Sequence, residues 1–369
     1  MTAIPSTMNA MVLLGHGGLD QLAWRQDYPT PTPRAGEVLI RVRACGLNNT
    51  DINTRTAWYS KNVTEGITPQ GGAEGFASAA DDSASWASAP VRFPRIQGAD
   101  ATGEIVAVGD GVDAGRMGER VLVDPWILPR GDWQDAGGAM YFGSECDGGF
   151  ADYATVPSEN AIAISTPLTD AELATFSCAV TTAENLVAKT RLQPGETVVI
   201  AGASGGVGSF AVQLALLRGA RVLAIASPAK ADALAQLGAH HIIDRNSADL
   251  EAAIRAHAPQ GADVALDVVG GGMTMPLLAA LRQYGRYSSS GAIAGPMIGF
   301  DLRQLIYKDL QMTGATIVPP GTMARLAGLI ESGALKPNLA ARFALRDMHK
   351  AQEMFMAKTH TGNIVVEME

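Results

Sequence analysis

The feature that most constrains this chain is a glycine-rich turn between an apolar strand and an apolar helix. The stretch VVIAGASGGVGSFAVQLALLRGA covers residues 198–220. Read from Gly202, it fits G-x-S-x-G, the sharp turn that exposes a nucleophilic serine in hydrolases, here Ser204. Read from Ala203, it fits G-x-G-x-x-G with alanine at the first position, the loop that binds a dinucleotide pyrophosphate. The first interpretation predicts a hydrolase and the second an oxidoreductase.

The surrounding sequence favours the dinucleotide interpretation. A hydrolase needs a histidine and an acid later in the chain, but His257, His349 and His360 stand in no recognisable loop. The dinucleotide loop needs a strand before it, a helix after it and a ribose-binding residue about 20 positions on, where Ser227 stands. We therefore predict that the cofactor phosphates lie on the backbone at the start of the helix. The residues of this loop are Ala203, Ser204, Gly205, Gly206, Val207 and Gly208.

Ser227 also indicates which cofactor binds. An acidic side chain there would bind the ribose hydroxyls of NAD and repel a 2′-phosphate by about 4 kcal/mol at 4 Å and an effective dielectric near 20. This chain has the neutral Ser227, with Lys230 and Arg245 following it. A neutral donor with two cations suits a 2′-phosphate, so we predict NADPH. The alternative is that both cations are solvated surface charges.

Composition limits the other classes of function. The chain has 369 residues, of which 47% are hydrophobic and 18% charged, as expected for a globular protein of about two domains. A net charge of −9 without a basic run argues against nucleic acid as a partner. No apolar run reaches the roughly 18 residues of a membrane span. Residues 1–11 show no secretion signal.

The three cysteines indicate a reducing compartment. Cys45, Cys146 and Cys178 stand far apart without a C-x-x-C pair, so we predict a cytoplasmic protein without a four-cysteine zinc lobe.

The pattern of predicted secondary structure divides the chain into two parts. The first 160 residues are rich in short predicted strands, among them the alternating run Val38–Ala44. After Pro167, predicted helices and strands alternate, which predicts an α/β unit with a doubly wound parallel sheet. The last stretch, from about residue 301, ends in the predicted strand GNIVVEME and is expected to rejoin the first domain. Between the early strands, residues 60–94 have no periodicity and exceed an ordinary connection.

Several segments together resemble the medium-chain dehydrogenase/reductase superfamily over nearly the whole chain. They are EVLIRVRACGLNNTD, PRIQGADATGEIVAVGDGV, GSECDGGFADYATVP, TTAENLV, AGASGGVGSFAVQLA and GNIVV. The resemblance implies a GroES-like β-barrel catalytic domain from residues 1–165 and 301–369, and a Rossmann NADP-binding domain from residues 166–300. It places the active site in the cleft between them.

The zinc positions of this superfamily decide the branch. Zinc alcohol dehydrogenases have a cysteine where this chain has Asn48, and a histidine where it has Ala99. Cys178, near the third position, is the one zinc-type residue kept. A catalytic zinc needs three protein ligands, so we predict no metal. What remains is similar to the zinc-independent quinone oxidoreductases.

That branch implies roles for residues of the segment NNTDINTRTAWY. Asn48 would hydrogen-bond near the nicotinamide or the substrate carbonyl, Tyr59 would line the substrate side and supply a proton, and Asp51 would fix the loop. The alternatives are a turn cap for Asn48 and a packing role for Tyr59.

Further cofactor contacts follow from the same resemblance. Val269 and Gly270 would pass beneath the adenosine or the nicotinamide ribose, and Ser290, Gly291 and Ala292 would offer backbone groups to the nicotinamide amide. Asn363 is also predicted to contact the cofactor, and because it stands where the family usually has a lysine, a charge contact there is not expected.

The sequence thus predicts an NADPH-dependent oxidoreductase that transfers a hydride to a small-molecule electron acceptor, a quinone or an α,β-unsaturated carbonyl. The alternatives are a zinc-type alcohol dehydrogenase and an NADPH-binding protein without turnover. A homodimer is expected, with the apolar stretch 291–300 at its interface. The insertion 60–94 is a lid anchored by Trp86, a surface loop or an oligomer contact.

Overall fold

A computed structural model of the protein describes residues 3–79, 90–129 and 138–369. Trp86 lies outside these residues. The chain divides into two units. The first unit contains Met1–Val63, Thr68–Cys178 and Pro319–Glu369, and the second contains Thr64–Ile67 and Ala179–Val318.

The secondary structure of the described residues follows in chain order. The strands are β1 (Thr7–Leu13), β2 (Leu22–Pro29), β3 (Glu37–Gly46), β4 (Arg95–Ile96), β5 (Asp100–Val108), β6 (Arg120–Val123), β7 (Trp126–Ile127), β8 (Met140–Tyr141), β9 (Tyr153–Pro157), β10 (Ala161–Ala163), β11 (Thr197–Ala201), β12 (Arg221–Ala226), β13 (His241–Asp244), β14 (Ala262–Asp267), β15 (Leu281–Ser289), β16 (Gln311–Gly314), β17 (Leu339–Ala344) and β18 (Asn363–Glu367). The helices are α1 (Asn49–Arg55), α2 (Pro69–Glu74), α3 (Asp170–Leu173), α4 (Ser177–Thr190), α5 (Gly206–Leu217), α6 (Ala231–Gln236), α7 (Leu250–Arg255), α8 (Thr274–Ala280), α9 (Leu302–Tyr307), α10 (Thr322–Glu331) and α11 (Met348–Ala357).

The first unit is built around a sheet with the order β10-β6-β5-β3-β18-β17, in which β9 also pairs with β3. Strand β3 is central, and its Val38, Leu39 and Ile40 are fully buried while Arg41 and Arg43 are not. Strand β18 runs antiparallel to β3 and parallel to β17. The C-terminal segment therefore completes the first unit, as the sequence predicted.

The second unit is a six-stranded sheet with the order β13-β12-β11-β14-β15-β16, and every neighbouring pair is parallel. Strand β11 lies between β12 and β14, and its Val198 to Ala201 are buried, as expected for a strand covered by helices on both faces. The strand order reverses between β11 and β14. Ligands of such sheets bind beyond the carboxyl ends of the strands at this point.

The unit boundaries lie elsewhere than the predicted 165/166 and 300/301. Residues 166–178 belong to the first unit, where the amide of Cys178 donates to Asp100 and the carbonyl of Thr175 accepts from Asn363. Residues 301–318 belong to the second unit because β16 extends its sheet beyond β15. Neither boundary coincides with a change in the predicted pattern of strands and helices.

Two predicted local structures also differ. The helical spacing of the sequence DAELATFSCAVTTAENLVAKT, residues 170–190, predicts one helix, but these residues form α3 and α4 separately. Thr175 between them gives its carbonyl to Asn363. The insertion was predicted without regular structure, yet it contains α2. The Thr68 hydroxyl accepts from the amide of Gly71, and Pro69 opens the helix. This is the usual helix start of a hydroxyl cap followed by proline.

Candidate active site

The glycine-rich turn joins β11 to α5 with very close backbone packing. Gly202 has a φ of +67°, a conformation that other residues adopt rarely. A Cβ on Gly208 would lie 2.1 Å from the carbonyl oxygen of Gly202 and 2.7 Å from the Cα of Ala203. Helix α5 begins at Gly206, so its first amides face the turn. The geometry is that of a phosphate cradle at a helix N-terminus.

Gly208→Ala is expected to displace this turn, because its methyl group has no room beside Gly202. We expect a loss of about 1–3 kcal/mol in the free energy of unfolding and dinucleotide binding weakened about tenfold or more. Urea denaturation and fluorescence titration measure the two effects. Gly299→Ala is the matched control in the same unit, since a Cβ there has nothing within 4 Å. Equal behaviour of the two variants would contradict the cradle.

The histidines needed by the hydrolase interpretation are used elsewhere. The ring of His257 stacks on His241 at 4.2 Å, His349 bonds the carbonyl of Leu22, and His360 packs against Phe355. Ser204 lies in the turn before α5. The arrangement therefore supports the dinucleotide interpretation of residues 203–208.

Asp267, at the end of β14, organises the next part of the same sheet edge. Its Oδ1 accepts from the amides of Val269 (2.8 Å) and Gly270 (2.9 Å), and its Oδ2 accepts from the hydroxyl of Tyr287 (2.7 Å). Sequence reasoning missed Asp267. The signal was a lone acid at the end of an apolar strand, directly before the predicted Val269 and Gly270.

The predicted residues that follow β15 lie beside this turn. A Cβ on Gly270 would lie 2.8 Å from the Cα of Ala292, and one on Gly291 would lie 2.7 Å from the carbonyl oxygen of Val268. The amide of Ser290 donates to the carbonyl of Asp267. The structure thus brings the predicted cofactor-contact residues 269–270 and 290–292 together.

Ser227 follows β12 and begins a short turn whose Lys230 amide donates to its carbonyl. Burial lowers the pKa of Lys230, and the positive charge of Arg245 lowers it further, so the two cations are neighbours. The amide of Arg245 donates to Ala226, the residue before Ser227. Ser227, Lys230 and Arg245 therefore form one group at the ends of β12 and β13.

Asn363 belongs to the first unit. Its side chain is 2% exposed and donates from Nδ2 to the carbonyl of Thr175 at 2.8 Å. This geometry gives Asn363 a role in joining β18 to the segment before α4. The cofactor contact predicted for Asn363 gains no support from it.

The predicted catalytic residues lie together in the first unit around α1. Asn48 caps the helix, and Asp51 completes a reciprocal capping box with it. The Oδ2 atom of Asp51 accepts from the Asn48 amide at 2.7 Å. The Tyr59 hydroxyl donates to Thr50 at 3.3 Å. The predicted role of Asp51 in fixing the loop agrees with these contacts.

Asp100, at the start of β5, was not among the predicted site residues, yet it joins this group. Its Oδ2 accepts from the Asn48 amide nitrogen Nδ2 at 2.9 Å, and its Oδ1 accepts from the backbone amide of Cys178. The carboxyl is completely buried. Tyr141 of β8 is a second unpredicted neighbour, since its hydroxyl bonds the Cys178 thiol and its ring packs edge-on against Trp126.

Burial raises the pKa of Asp51 and that of Asp100, each to about 7, and the charge of Asp100 is part of the rise at Asp51. The native state therefore keeps protons that the unfolded chain releases near pH 4. The contribution of these two carboxyls to the free energy of unfolding falls as the pH rises from about 4 to about 7, by up to about 1.4 kcal/mol per pH unit for each proton.

This pH dependence is measurable by urea unfolding between pH 5 and pH 7.5. We expect Asp100→Asn to lose less stability over that range than the wild type, because one of the two protons is no longer released. Parallel curves for the two proteins would show that Asp100 is already ionised at pH 5.

Two family models and a solved structure identify the family of this chain. Residues 34–166 match the family model described as the alcohol dehydrogenase GroES-like domain, and residues 206–332 match that of the zinc-binding dehydrogenase. A crystal structure of a putative alcohol dehydrogenase from Sinorhizobium meliloti 1021 is 42% identical, with a TM-score of 0.90 over 100% of this chain and 99% of that one. The chain belongs to the medium-chain dehydrogenase/reductase superfamily.

Other relatives of this dehydrogenase/reductase are more distant. The human synaptic vesicle membrane protein VAT-1 homolog is 26% identical, over 97% of this chain and 86% of that protein. An NAD-dependent alcohol dehydrogenase of Sulfurisphaera tokodaii is 25% identical, over 88% of this chain and 91% of that protein. The chain is thus an oxidoreductase of a superfamily that uses a nicotinamide cofactor.

The zinc positions of the superfamily carry a different donor set in this dehydrogenase/reductase. The amide of Asn48 is bound to Asp100, and Ala99 has no ligand atom. Within residues 3–79, 90–129 and 138–369, no group of three His, Cys, Asp or Glu side chains is arranged to hold a metal ion. These residues do not fit a catalytic zinc, which needs three protein ligands.

Among the described residues, no helix is both long enough and apolar enough to cross a membrane.

Proposed function

We propose that this protein transfers a hydride from NADPH to a quinone or an α,β-unsaturated carbonyl without zinc. The observation that carries the proposal is the hydrogen bond from the Asn48 side chain, which stands where zinc alcohol dehydrogenases have a cysteine, to the buried carboxyl of Asp100. The hydroxyls of Tyr59 and Tyr141 belong to the same cluster, bonded to Thr50 and to the Cys178 thiol. These amide and hydroxyl donors suit an acceptor oxygen better than a cation.

The bound nicotinamide supplies the hydride, and negative charge then builds up on the acceptor oxygen. Fixed hydrogen-bond donors that face this oxygen lower the barrier. Burial raises the pKa of Tyr59, so its hydroxyl stays protonated at neutral pH, and rotation of this O–H lets it donate to the acceptor oxygen instead of Thr50. Asn48 and Tyr59 are the proposed catalytic donors, with Tyr141 beside them. Asp51 positions the start of α1.

The preference for NADPH is supported by the group at the end of β12. Ser227 carries no charge that would repel a 2′-phosphate, and the neighbouring cations Lys230 and Arg245 would attract it. The name of the Sulfurisphaera tokodaii relative specifies NAD. The cofactor preference of this chain therefore follows from its own residues.

The deciding experiment measures NADPH oxidation with a panel of quinones and enones, with and without a chelator and with NADH alongside. We expect turnover that survives chelation and prefers NADPH. Loss of activity on chelation would favour the zinc-type alcohol dehydrogenase. Binding of NADPH without turnover of any acceptor would favour the non-catalytic alternative.

We also propose that the protein forms a homodimer through the second unit. Strand β16 lies at the end of the strand order, and α9 beside it exposes large apolar side chains, with Ile306 61% and Tyr307 73% exposed. Met297, in the predicted stretch 291–300, is also exposed. An open strand edge next to exposed apolar residues is typical of an interface.

Ile306→Glu is expected to convert the dimer to a monomer, because it places a charge in the apolar patch. Size-exclusion chromatography with light scattering measures the mass at micromolar concentration. Leu217→Glu is the control, since Leu217 is an exposed apolar residue of α5 in the same unit. A wild-type monomer, or a dimer that survives Ile306→Glu, would contradict this surface.

The cytoplasm is the proposed location. The three cysteines form no disulfide, and Cys45 and Cys178 are buried. A protein in a reducing compartment requires no disulfides for stability.

A further inference from the structure

The side-chain amide of Asn48 is held in one orientation. Its Nδ2 donates to Oδ2 of Asp100 at 2.9 Å, and Asp100 is itself fixed because its Oδ1 accepts from the backbone amide of Cys178. Above its pKa of about 7, the Asp100 carboxyl is ionised and offers only acceptors. The atom of Asn48 that faces Asp100 must therefore be the nitrogen.

The other end of the Asn48 amide is also assigned. In the capping box at the start of α1, the Asn48 side chain accepts from the backbone amide of Asp51. The oxygen of Asn48 thus faces the helix, and one N–H of Nδ2 is used by Asp100. Since an amide nitrogen carries two hydrogens, one N–H of Asn48 is left to donate.

We infer that Asp100 is a positioning residue that makes Asn48 a hydrogen-bond donor toward the substrate. The free N–H of Asn48 then favours substrates whose reacting group ends in an oxygen without a hydrogen, namely a carbonyl or quinone oxygen. The inference rests on the proposed function. It assigns to Asp100 a role that the sequence alone did not predict.

Asp100→Asn tests this role. The backbone amide of Cys178 cannot turn, so the oxygen of the new side chain must face it and the new NH₂ group must face Asn48. The Asn48 amide then turns over, which gives up its bond from the Asp51 backbone amide and presents its oxygen to the substrate. We expect kcat to fall about 100-fold, as for the loss of one donor to a developing oxyanion, while the Kd for NADPH stays unchanged.

The double variant Asn48→Asp with Asp100→Asn separates positioning from stability. In this exchanged pair the NH₂ group of residue 100 donates to the new carboxylate, which also accepts from the amide of Asp51. We expect the free energy of unfolding to return to the wild-type value, whereas kcat stays about 100-fold low because residue 48 has no N–H.

Asp152→Asn is the matched control. Asp152 is a partly buried carboxyl of the same unit, and it accepts from the amide of Asn9. We expect its kcat to remain that of the wild type. Recovery of kcat in the exchanged pair, or an unchanged kcat in Asp100→Asn, would overturn the inference.

The same set of proteins distinguishes the failure of this inference from the failure of the proposed function. A wild-type protein that reduces no quinone or enone would contradict the proposed function. The unfolding free energies would then still decide the orientation of Asn48: recovery in the exchanged pair supports it, and a further loss contradicts it.

Discussion

Ser227→Asp is expected to reverse the cofactor preference, weakening NADPH binding about 100- to 1000-fold relative to NADH. The new carboxylate would stand at the end of β12, where the 2′-phosphate is expected beside Lys230 and Arg245. Repulsion between like charges 4 Å apart costs about 4 kcal/mol at an effective dielectric near 20. Fluorescence titration of both nucleotides gives the two dissociation constants directly.

Ser227→Asn is the control for size, since asparagine is as large as aspartate but neutral. We expect it to keep most of the preference for NADPH. If the aspartate and asparagine variants bind both nucleotides equally well, the 2′-phosphate does not lie at Ser227. A wild type that prefers NADH would contradict the role of Lys230 and Arg245 as well.

The second unit could be predicted well from the sequence because its signals are local. Short apolar strands alternate with helices, and the turn at residues 202–208 combines several glycines between a strand and a helix. Such a pattern has few other solutions than a parallel sheet. The boundary at residue 318 was missed, because β16 is a short edge strand with little apolar pattern.

The first unit was predicted less completely, because long-range pairing fixes its details. Helix α2 had a readable start at Thr68 and Pro69, but the glycines and the absence of periodicity around it hid the signal. The break between α3 and α4 depends on Asn363, which lies far along the chain and bonds Thr175. No local sequence pattern predicts such a contact.

The candidate site shows the same division. Asn48, Asp51 and Tyr59 lie within one short segment, so one resemblance predicted all three. Asp100 stands directly after Ala99, which was examined in the sequence only as a possible zinc position. Its hydrogen bond to Asn48 joins two segments about 50 residues apart in the chain. Tyr141 carries no motif at all. Side chains that meet through the barrel require the fold, whereas those of one turn do not.

Arg55→Met is expected to lower the free energy of unfolding by about 3–5 kcal/mol. Arg55 is 0% exposed and donates to the carbonyls of Gly17 (2.9 Å) and Gly72 (2.7 Å) and to the side chain of Gln352 (2.9 Å). Methionine fills similar space but leaves these acceptors buried without a donor, which costs about 1–3 kcal/mol each. Urea denaturation at pH 7 measures the loss.

Arg25→Met is the matched control, because Arg25 pairs with Asp27 on the surface of the same unit at 3.2 Å. We expect a change of less than about 1 kcal/mol there. Arg55→Lys keeps the charge but not the planar set of donors, so an intermediate loss is expected even where the methionine variant does not fold. Because Arg55 is the last residue of α1, kcat should fall with stability in both variants. An Arg55→Met protein as stable as Arg25→Met would mean that this buried cation contributes packing alone and does not fix the helix that carries Asp51.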